Sequence, residues 1–281
     1  RPTVFAERIF SGKVFIIFGG GSGIGLASAW LLAKLGARVV IVGRSEAKLE
    51  DACSAIKKAD LVNVSFKVCN VRDLNLVKKI FNDVFVEFGA VDGIVNCAGG
   101  QFPQSAIKFS QNGWNAVIDT NLNGAWNVMN TVAKKWEEAG HLGGKIVNVV
   151  VVSQGLHGVA HTVAARAGVI AYSEKVSVEW APLGISVNCV APGPIRTEGW
   201  AVYPKEVTEC YSKTNPMMQS GDPWQIAEVV GFLMSPAGNF INGETLKVDG
   251  GGHHWGEIWT TGKPDYFKDG SRAWDDLKLE D

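Results

Sequence analysis

Short apolar runs rich in valine and isoleucine alternate along this chain with longer segments in which apolar residues recur every three or four positions. Unbroken runs of this kind are typical of strands buried on both faces, and the longer pattern is typical of amphipathic helices. The alternation predicts an α/β fold, a three-layer sandwich with a seven-stranded parallel sheet between helices. The predicted strands are 14–18, 38–42, 64–68, 93–96, 145–152, 185–190 and 245–248.

The connections between these strands contain no internal repeat and no low-complexity linker. We therefore expect residues 1–281 to form a single domain. The first predicted helix is 23–35, and the second begins after strand 38–42 and ends at about 58. Further helices are predicted at 73–88, at about 112–139, at about 160–180 and near 223–234.

Two segments depart from the alternation. Residues 198–222 are too long for a simple connection, and we interpret them as a lid over a binding site. Residues 252–281 follow the last predicted strand and are rich in aromatic side chains, which we expect to dock on this subunit or on a neighbouring one. The aromatic residues of this tail are Trp255, Trp259, Tyr266, Phe267 and Trp274.

The bulk composition excludes some classes of protein. The chain has 27 basic and 28 acidic residues and a formal net charge of −1, which argues against a nucleic-acid partner. No run of 18 apolar residues is present, so we expect no membrane span. The cysteines lack metal-binding or redox spacing and are expected to be reduced thiols of a soluble intracellular protein, in the cytoplasm or in a mitochondrial or peroxisomal matrix. They are Cys53, Cys69, Cys97, Cys189 and Cys210.

A glycine-rich segment, GGGSGIG at 19–25, directly follows the first predicted strand and opens the first predicted helix. Glycine lets the backbone turn tightly and approach a pyrophosphate, and the helix N-terminus offers free N–H groups and a favourable dipole. In this strand–turn–helix setting the segment predicts a Rossmann-type dinucleotide-binding domain. Its candidate cofactor contacts are Gly19, Gly21, Ser22, Gly23, Ile24 and Gly25.

The end of the second predicted strand favours NADP over NAD. An NAD site needs an acidic residue there for the ribose 2′-hydroxyl, whereas this chain reads VGRS and has Arg44. A guanidinium pairs with phosphate through two hydrogen bonds, so Arg44 is suited to the 2′-phosphate of NADP. A surface arginine without a ligand is the alternative.

Two further strand ends supply candidate cofactor contacts. Asn70 follows the third strand and has a side-chain oxygen suited to the adenine amino group, although a plain turn role stays open. Asn96, Ala98 and Gly99 end the fourth strand, where the order of a doubly wound sheet reverses and ligands bind.

Together these motifs resemble the short-chain dehydrogenase/reductase family over residues 11–250. GGGSGIG resembles the family's TGxxxGIG loop, with Phe18 in place of threonine, and NCAG at 96–99 resembles NNAG. TNLNG at 120–124 resembles the segment that carries the family's helix asparagine. PGPIRT at 192–197 resembles the motif beside the nicotinamide, which implies further cofactor contacts by Pro192, Gly193, Ile195 and Thr197.

Within that family, residues 97–114 and 161–192 are similar to peroxisomal trans-2-enoyl-CoA reductases and to their 2,4-dienoyl-CoA reductase relatives. The resemblance implies an NADPH-dependent reduction of an acyl-thioester double bond, with an acyl-CoA as substrate. It also implies a homodimer or homotetramer, because the helices around 112–139 and 160–180 commonly pair between subunits in this family.

The family's usual Ser–Tyr–Lys set is replaced. Its YxxxK spacing falls on Thr162 and Arg166, and valines occupy the region where the serine is expected. A threonine hydroxyl is a very weak acid, and arginine stays protonated and relays no proton. Tyr172 and Lys175 are only three residues apart and are interpreted as helix surface or core.

Enoyl reduction makes a different demand, because negative charge develops on the thioester oxygen and donors near that oxygen are the main requirement. Gln101 falls where the dienoyl-CoA relatives have an asparagine near the substrate, and its amide is the candidate donor. Arg166 is a candidate for holding the ribose hydroxyls, and Asn121 for ordering a water. A loop cap at Gln101 and a surface position for Arg166 stay open.

Two other functions stay open beside the enoyl-CoA reductase. One is a hydroxyacyl-CoA or other alcohol dehydrogenase with an unusual proton donor. The other is a catalytically inactive subunit of a larger assembly that keeps the dinucleotide fold. His157 and His161 have a spacing at which helical histidines share a metal, but no third ligand accompanies them, and His253 and His254 are adjacent. We therefore predict no metal site.

Overall fold

The computed structural model describes residues 1–140, 143–151, 158–203 and 205–254, apart from the side chain of Glu206. The aromatic tail beyond residue 254, together with Ser153 and His157, lies outside these ranges.

Seven parallel strands form one sheet in the order β3-β2-β1-β4-β5-β6-β7. This confirms the predicted α/β sandwich. The order reverses between β1 and β4, so the crevice at that point lies at the carboxyl ends of these two strands. The strands are β1 Val14–Phe18, β2 Arg38–Gly43, β3 Val64–Val68, β4 Gly93–Asn96, β5 Gly144–Val149, β6 Ile185–Pro192 and β7 Thr245–Val248.

Helices cover both faces of the sheet and bury two hydrophobic cores. One core lies under α1, α2 and α8, and the other lies under α3, α5 and α6. Every residue of β1 is buried, which explains why its sequence is a continuous apolar run rather than an alternating one. The helices are α1 Gly23–Lys34, α2 Glu46–Lys57, α3 Leu74–Phe88, α4 Gln111–Ile118, α5 Gly124–Glu138, α6 Ala160–Glu179, α7 Lys205–Glu209 and α8 Pro223–Met234.

The long helix predicted at about 112–139 is interrupted. A π-helical turn, Asp119–Asn123, separates α4 from α5. Such a turn adds a residue to the helical repeat and redirects the side chains around it, and it is frequent at functional sites. Here it contains Asn121, whose side chain is fully buried. Apolar periodicity alone does not reveal a π turn, because the helical pattern continues on both sides of it.

Strand β5 is shorter than predicted and ends at Val149 instead of residue 152. Its last register pair is Val149 with Val190, and one further hydrogen bond joins the Val150 N–H to the Val190 carbonyl at 2.8 Å. Beyond that point β6 continues to Pro192 paired only with β7. Strand β5 therefore ends where its pairing with β6 ends, although the apolar run in the sequence continues.

In the part of the chain that the structure describes, no helix is long and apolar enough to cross a membrane.

Candidate active site

The glycine-rich loop joins β1 to α1 and packs tightly on itself and on the end of β4. A Cβ atom at Gly25 would lie 2.2 Å from the Gly19 carbonyl oxygen, and one at Gly19 would lie 2.8 Å from the Cys97 carbonyl carbon. Gly19 also has a φ of +77°, which favours glycine. The loop therefore depends on residues without side chains at both positions.

The N-terminus of α1 is open for an anion. Ser22 is the N-cap residue in an extended conformation, it is exposed, and its side chain caps none of the first backbone N–H groups. Uncapped N–H groups and the helix dipole at this end are suited to binding an anion such as a pyrophosphate.

The segment after β6 returns across this loop. Pro192 ends β6, and the Gly193 N–H donates to the Val248 carbonyl at 3.0 Å. Four residues later, the Thr197 Cγ2 atom would lie 3.3 Å from a Cβ at Gly23. The predicted motif at 192–197 thus lies beside the cofactor loop.

Two predicted contacts for the adenosine half lie at the ends of β2 and β3. Arg44 directly follows β2, is exposed, and makes no ion pair with any residue in the described ranges. The Asn70 side-chain oxygen accepts the Arg72 N–H at 3.2 Å, so the turn role is present at this residue. A second lone pair on that oxygen is left for a ligand.

Asn96, at the end of β4, is 1% exposed, and both of its polar atoms have protein partners. Its Nδ2 donates to the Asn148 Oδ1 at 3.2 Å, and its Oδ1 accepts the Ala98 N–H at 3.3 Å. The side chain therefore fixes the backbone of the NCAG turn rather than offering free atoms to a ligand.

Arg166, from α6, reaches over this turn. Its side chain is buried, its Nη2 donates to the Ala98 carbonyl at 3.1 Å, and a Cβ at Gly99 would lie 2.0 Å from that same Nη2. Gly99 thus makes room for a guanidinium. The surface position considered for Arg166 is wrong, because α6 packs its buried face against the sheet.

The charge of this arginine is poorly compensated. Burial lowers the pKa of the Arg166 guanidinium to about 10, so the group stays positive at neutral pH. Within the described residues its Nη1 is buried and has no hydrogen-bond partner, and no carboxylate pairs with it. A buried cation with a free N–H group is suited to binding ligand oxygens.

The π turn places the Asn121 side chain against the Gly100 backbone and the Thr162 hydroxyl. The Asn121 Oδ1 accepts the Gly100 N–H at 2.9 Å, and its Nδ2 donates to the Gly100 carbonyl at 3.0 Å and to the Thr162 Oγ1 at 2.8 Å. Both amide hydrogens are used, so only a lone pair of the Oδ1 atom is left for a water. The Thr162 hydroxyl accepts from Asn121, and no residue in the described part of the chain accepts its own proton.

Gln101 follows directly, and its Nε2 donates to the hydroxyl of Tyr203. Tyr203 belongs to the 198–222 segment, which consists of short helices and is closed at its base by a bridge between Ile195 and Gly221. Tyr203 was not predicted as a site residue, because nothing in its local sequence distinguishes it. The scarcity of tyrosine, four in the chain, was the one available signal.

Tyr172, which follows the YxxxK position on the same helix, does not contact these site residues. Tyr172 contacts Trp180 with ring centroids 6.1 Å apart and lines a cavity of about 170 Å³ with Trp126 and Met129, between α5 and α6. This agrees with its interpretation as part of a helix surface.

His161 serves the packing of this region. Its ring stacks on Phe109 at 4.5 Å and meets Phe102 edge-on at 4.6 Å, and its Nδ1 accepts the Thr162 N–H at 2.8 Å. Burial lowers the pKa of His161. No group of three potential metal ligands occurs within the described ranges.

Comparison with known proteins decides the family. A family model described as "Enoyl-(Acyl carrier protein) reductase" matches residues 19–253, from the glycine-rich loop to the end of the sheet. The chain belongs to the short-chain dehydrogenase/reductase family. Members of this family use nicotinamide cofactors, and the relatives found here are oxidoreductases.

Two relatives and one solved structure illustrate the similarity. A probable 2,4-dienoyl-CoA reductase of Bacillus subtilis (strain 168) is 33% identical over 244 residues, which cover 85% of this chain and 96% of the relative. A 3-oxoacyl-[acyl-carrier-protein] reductase of Chlamydia muridarum is 34% identical over 241 residues, covering 85% and 96%. The structure of a variant actinorhodin polyketide ketoreductase with NADPH superposes with a TM-score of 0.80 at 28% identity, covering 89% of this chain and 100% of that one.

Proposed function

We propose that this short-chain dehydrogenase/reductase reduces the double bond of an acyl thioester with NADPH, as an enoyl-CoA reductase. The observation that carries the proposal is the pair of polar groups at the site, the amide of Gln101 and the buried guanidinium of Arg166, in a chain that has Thr162 and Arg166 at the usual tyrosine and lysine positions. Hydrogen-bond donors rather than a strong acid are what enolate formation needs. The similarity to a dienoyl-CoA reductase and to an oxoacyl-carrier-protein reductase supports a thioester substrate.

The residues present fit the cofactor. The glycines of the loop and the uncapped N–H groups at the α1 N-terminus leave room for a pyrophosphate, and the Arg166 Nη1, which has no partner among the described residues, is available for ribose oxygens. When bound, NADPH supplies the hydride. Arg44 would hold the 2′-phosphate of the cofactor. The cleft would be lined by the 192–197 motif and by the strand-end residues Asn70, Asn96, Ala98 and Gly99.

The remaining groups act on the substrate. One N–H of the Gln101 amide is used by Tyr203, and its second N–H, which has no acceptor among the described residues, is available for a thioester oxygen. Asn121 holds the Gly100 backbone and the Thr162 hydroxyl in one network and so positions both. No residue in the described ranges accepts the Thr162 hydroxyl proton, which leaves it for substrate, ribose or water.

The direct test mixes the protein with NADPH and crotonyl-CoA or a longer enoyl-CoA and follows the loss of NADPH absorbance. The expected result is loss of NADPH absorbance that requires both the protein and the enoyl-CoA. Oxidation of a hydroxyacyl-CoA with NADP, without enoyl reduction, would show the alcohol dehydrogenase instead. Tight NADPH binding with no turnover of any acyl thioester would contradict the proposal.

The second candidate, a catalytically inactive subunit of a larger assembly, is favoured by the threonine and arginine at the usual tyrosine and lysine positions. It predicts NADPH binding without turnover, together with copurification of a fixed partner protein in constant ratio. The same assay therefore separates the two candidates.

Changing Arg44 to glutamate is expected to weaken NADPH binding about 10- to 100-fold, because charge-assisted bonds to the 2′-phosphate are lost and a like charge is added. NADH, which lacks that phosphate, should bind as before or better. Dissociation constants for both cofactors, from nicotinamide fluorescence, check this. Lys57→Glu, the same charge change at the exposed far end of α2, is the matched control and should leave both constants unchanged.

We further propose that α5 and α6 pair between subunits in a homodimer or homotetramer. Trp126 on α5 is 42% exposed and, with Val169 and Tyr172, borders the cavity between these helices. Trp126→Glu is expected to shift the mass in size-exclusion chromatography with light scattering toward the monomer. Val86→Glu is the control, because it also replaces an apolar side chain by an acidic one, at an 88% exposed position on α3. It should leave the mass unchanged. A monomeric wild-type protein would contradict the pairing.

The single-domain organisation, the lid role of 198–222 and the intracellular location stay predictions from the sequence.

A further inference from the structure

The contact between Gln101 and Tyr203 joins two distant parts of the chain at the substrate side of the cleft. Gln101 directly follows the NCAG turn that Arg166 and Asn121 hold in place. Tyr203 lies between two short helices of the 198–222 segment and is partly buried. Through this contact the 198–222 segment reaches Gln101.

The chemistry of the two groups sets the direction of their hydrogen bond. An amide Nε2 only donates, so the Tyr203 oxygen accepts and its own O–H proton is left for another acceptor. Among the residues that the structure describes, none accepts that proton. Gln101 and Tyr203 therefore present two free donors side by side, one amide N–H and one phenolic O–H.

Reduction of an enoyl thioester needs two such groups. Hydride addition at the β-carbon breaks the carbon–carbon double bond and leaves an enolate, with negative charge on the thioester oxygen and on the adjacent α-carbon. The α-carbon must then gain a proton. One donor must hold the oxygen, and one acid must deliver the proton.

We propose that Tyr203 is the proton donor of this enzyme, an assignment that rests on the proposed function. The Gln101 N–H holds the thioester oxygen while the Tyr203 O–H bond breaks and a C–H bond forms at the α-carbon. The enolate electron pair makes that bond and restores the carbonyl. The phenolate left behind takes a proton from water, so charge and protons balance over one turnover.

The environment of Tyr203 suits this role. Burial raises the pKa of Tyr203, so the hydroxyl keeps its proton at neutral pH, and the Gln101 bond partly offsets this by stabilising the phenolate as it forms. The ring packs against Tyr211 at 5.9 Å, and Tyr211 packs against Trp200 at 4.9 Å. These aromatic contacts hold the hydroxyl toward Gln101. The acid thus comes from the 198–222 segment instead of from α6, where Thr162 stands.

The test compares Tyr203→Phe with Tyr211→Phe in the full-length protein, using crotonyl-CoA and NADPH in H₂O and in D₂O. Tyr211→Phe removes a hydroxyl from the same aromatic group but has no bond to Gln101, and should keep wild-type kcat/KM. Tyr203→Phe is expected to lower kcat/KM about 100-fold, the usual contribution of one general acid. NADPH affinity and the melting temperature of Tyr203→Phe should match those of the wild type.

The fate of solvent deuterium separates a catalytic from a structural role. Wild-type protein in D₂O should place deuterium on one face of the α-carbon, as read by NMR of the saturated product. In Tyr203→Phe, water delivers the proton and both faces should be labelled. A Tyr203→Phe protein that is slow but still labels one face, or that is as fast as the wild type, would overturn the assignment. A wild-type protein that reduces no enoyl-CoA would overturn the proposed function, and this assignment with it.

Discussion

Replacing Arg166 by methionine is expected to make the unliganded protein more stable and the enzyme slower. Arg166 is a buried cation with one carbonyl partner, an orphan Nη1 and no carboxylate within the described residues. Replacing buried charges by apolar groups of similar volume is often stabilising by about 1–4 kcal/mol, and the lost bond to Ala98 costs about 1 kcal/mol. We therefore expect a net gain of up to about 3 kcal/mol, which is as much as several degrees in melting temperature.

The same change should cost function. If Arg166 binds ribose oxygens beside the nicotinamide, Arg166→Met is expected to lower kcat/KM for enoyl-CoA about 100- to 1000-fold, as loss of one preorganised donor does. It should also abolish most of the thermal stabilisation that added NADPH gives the wild type. Scanning fluorimetry with and without NADPH, together with steady-state kinetics, measures both effects.

Arg166→Lys is the matched control, since it keeps the charge but shortens the reach past Gly99. It should bind NADPH better than Arg166→Met and remain less stable than it. A methionine variant with wild-type NADPH affinity and rate would show that Arg166 only supports the NCAG turn.

Gly25→Ala is expected to raise the NADPH dissociation constant at least about 100-fold, because the cofactor loop must open to admit a methyl group. The added Cβ would lie 2.2 Å from the Gly19 carbonyl oxygen and 2.8 Å from its carbonyl carbon. Both are backbone atoms of the same loop, so no side-chain rotation relieves the clash. Overpacking of this kind costs about 1–3 kcal/mol, and the free energy of unfolding should fall by that amount.

Gly21→Ala is the control for stability, because it adds the same methyl group to the same loop. Its Cβ would meet nothing closer than the Leu49 Cδ2 at 3.4 Å, an ordinary contact. The free energy of unfolding should change by less than about 0.5 kcal/mol. Urea titration and NADPH fluorescence measure the two quantities. Wild-type NADPH affinity in Gly25→Ala would show that this loop does not bind the pyrophosphate.

The architecture could be predicted because each of its signals is local. Parallel strands buried on both faces are continuous apolar runs, and four of the seven strands have the predicted bounds, β1, β3, β4 and β7. The glycine loop could be predicted for the same reason, since its strand, turn and helix are neighbours in sequence. Strand β5 was predicted too long because its end depends on a partner strand, which an apolar run does not reveal.

The replacement of the usual tyrosine and lysine by Thr162 and Arg166 could also be predicted from the sequence spacing. The structure shows which residues these two side chains contact. Arg166 and Asn121 converge on Gly99 and Gly100, and Asn121 also donates to the Thr162 hydroxyl. The lowered pKa of Arg166 and the lack of a partner for its Nη1 among the described residues could not be predicted. Whether an arginine on a helix is buried or exposed depends on which face packs against the sheet, and the helical pattern of α6 is apolar on more than one face.

The dinucleotide fold with a glycine-rich cofactor loop was thus determined by the sequence itself, through the periodicity of apolar residues and the conformational freedom of glycine. The tertiary structure alone decided three features of the candidate site. The π turn aims Asn121 at Gly100, α6 buries Arg166 with no carboxylate partner in the described ranges, and Tyr203 meets Gln101 across 102 residues of chain. The physical reason is that each depends on how separate elements pack at the carboxyl edge of the sheet, which no local pattern encodes.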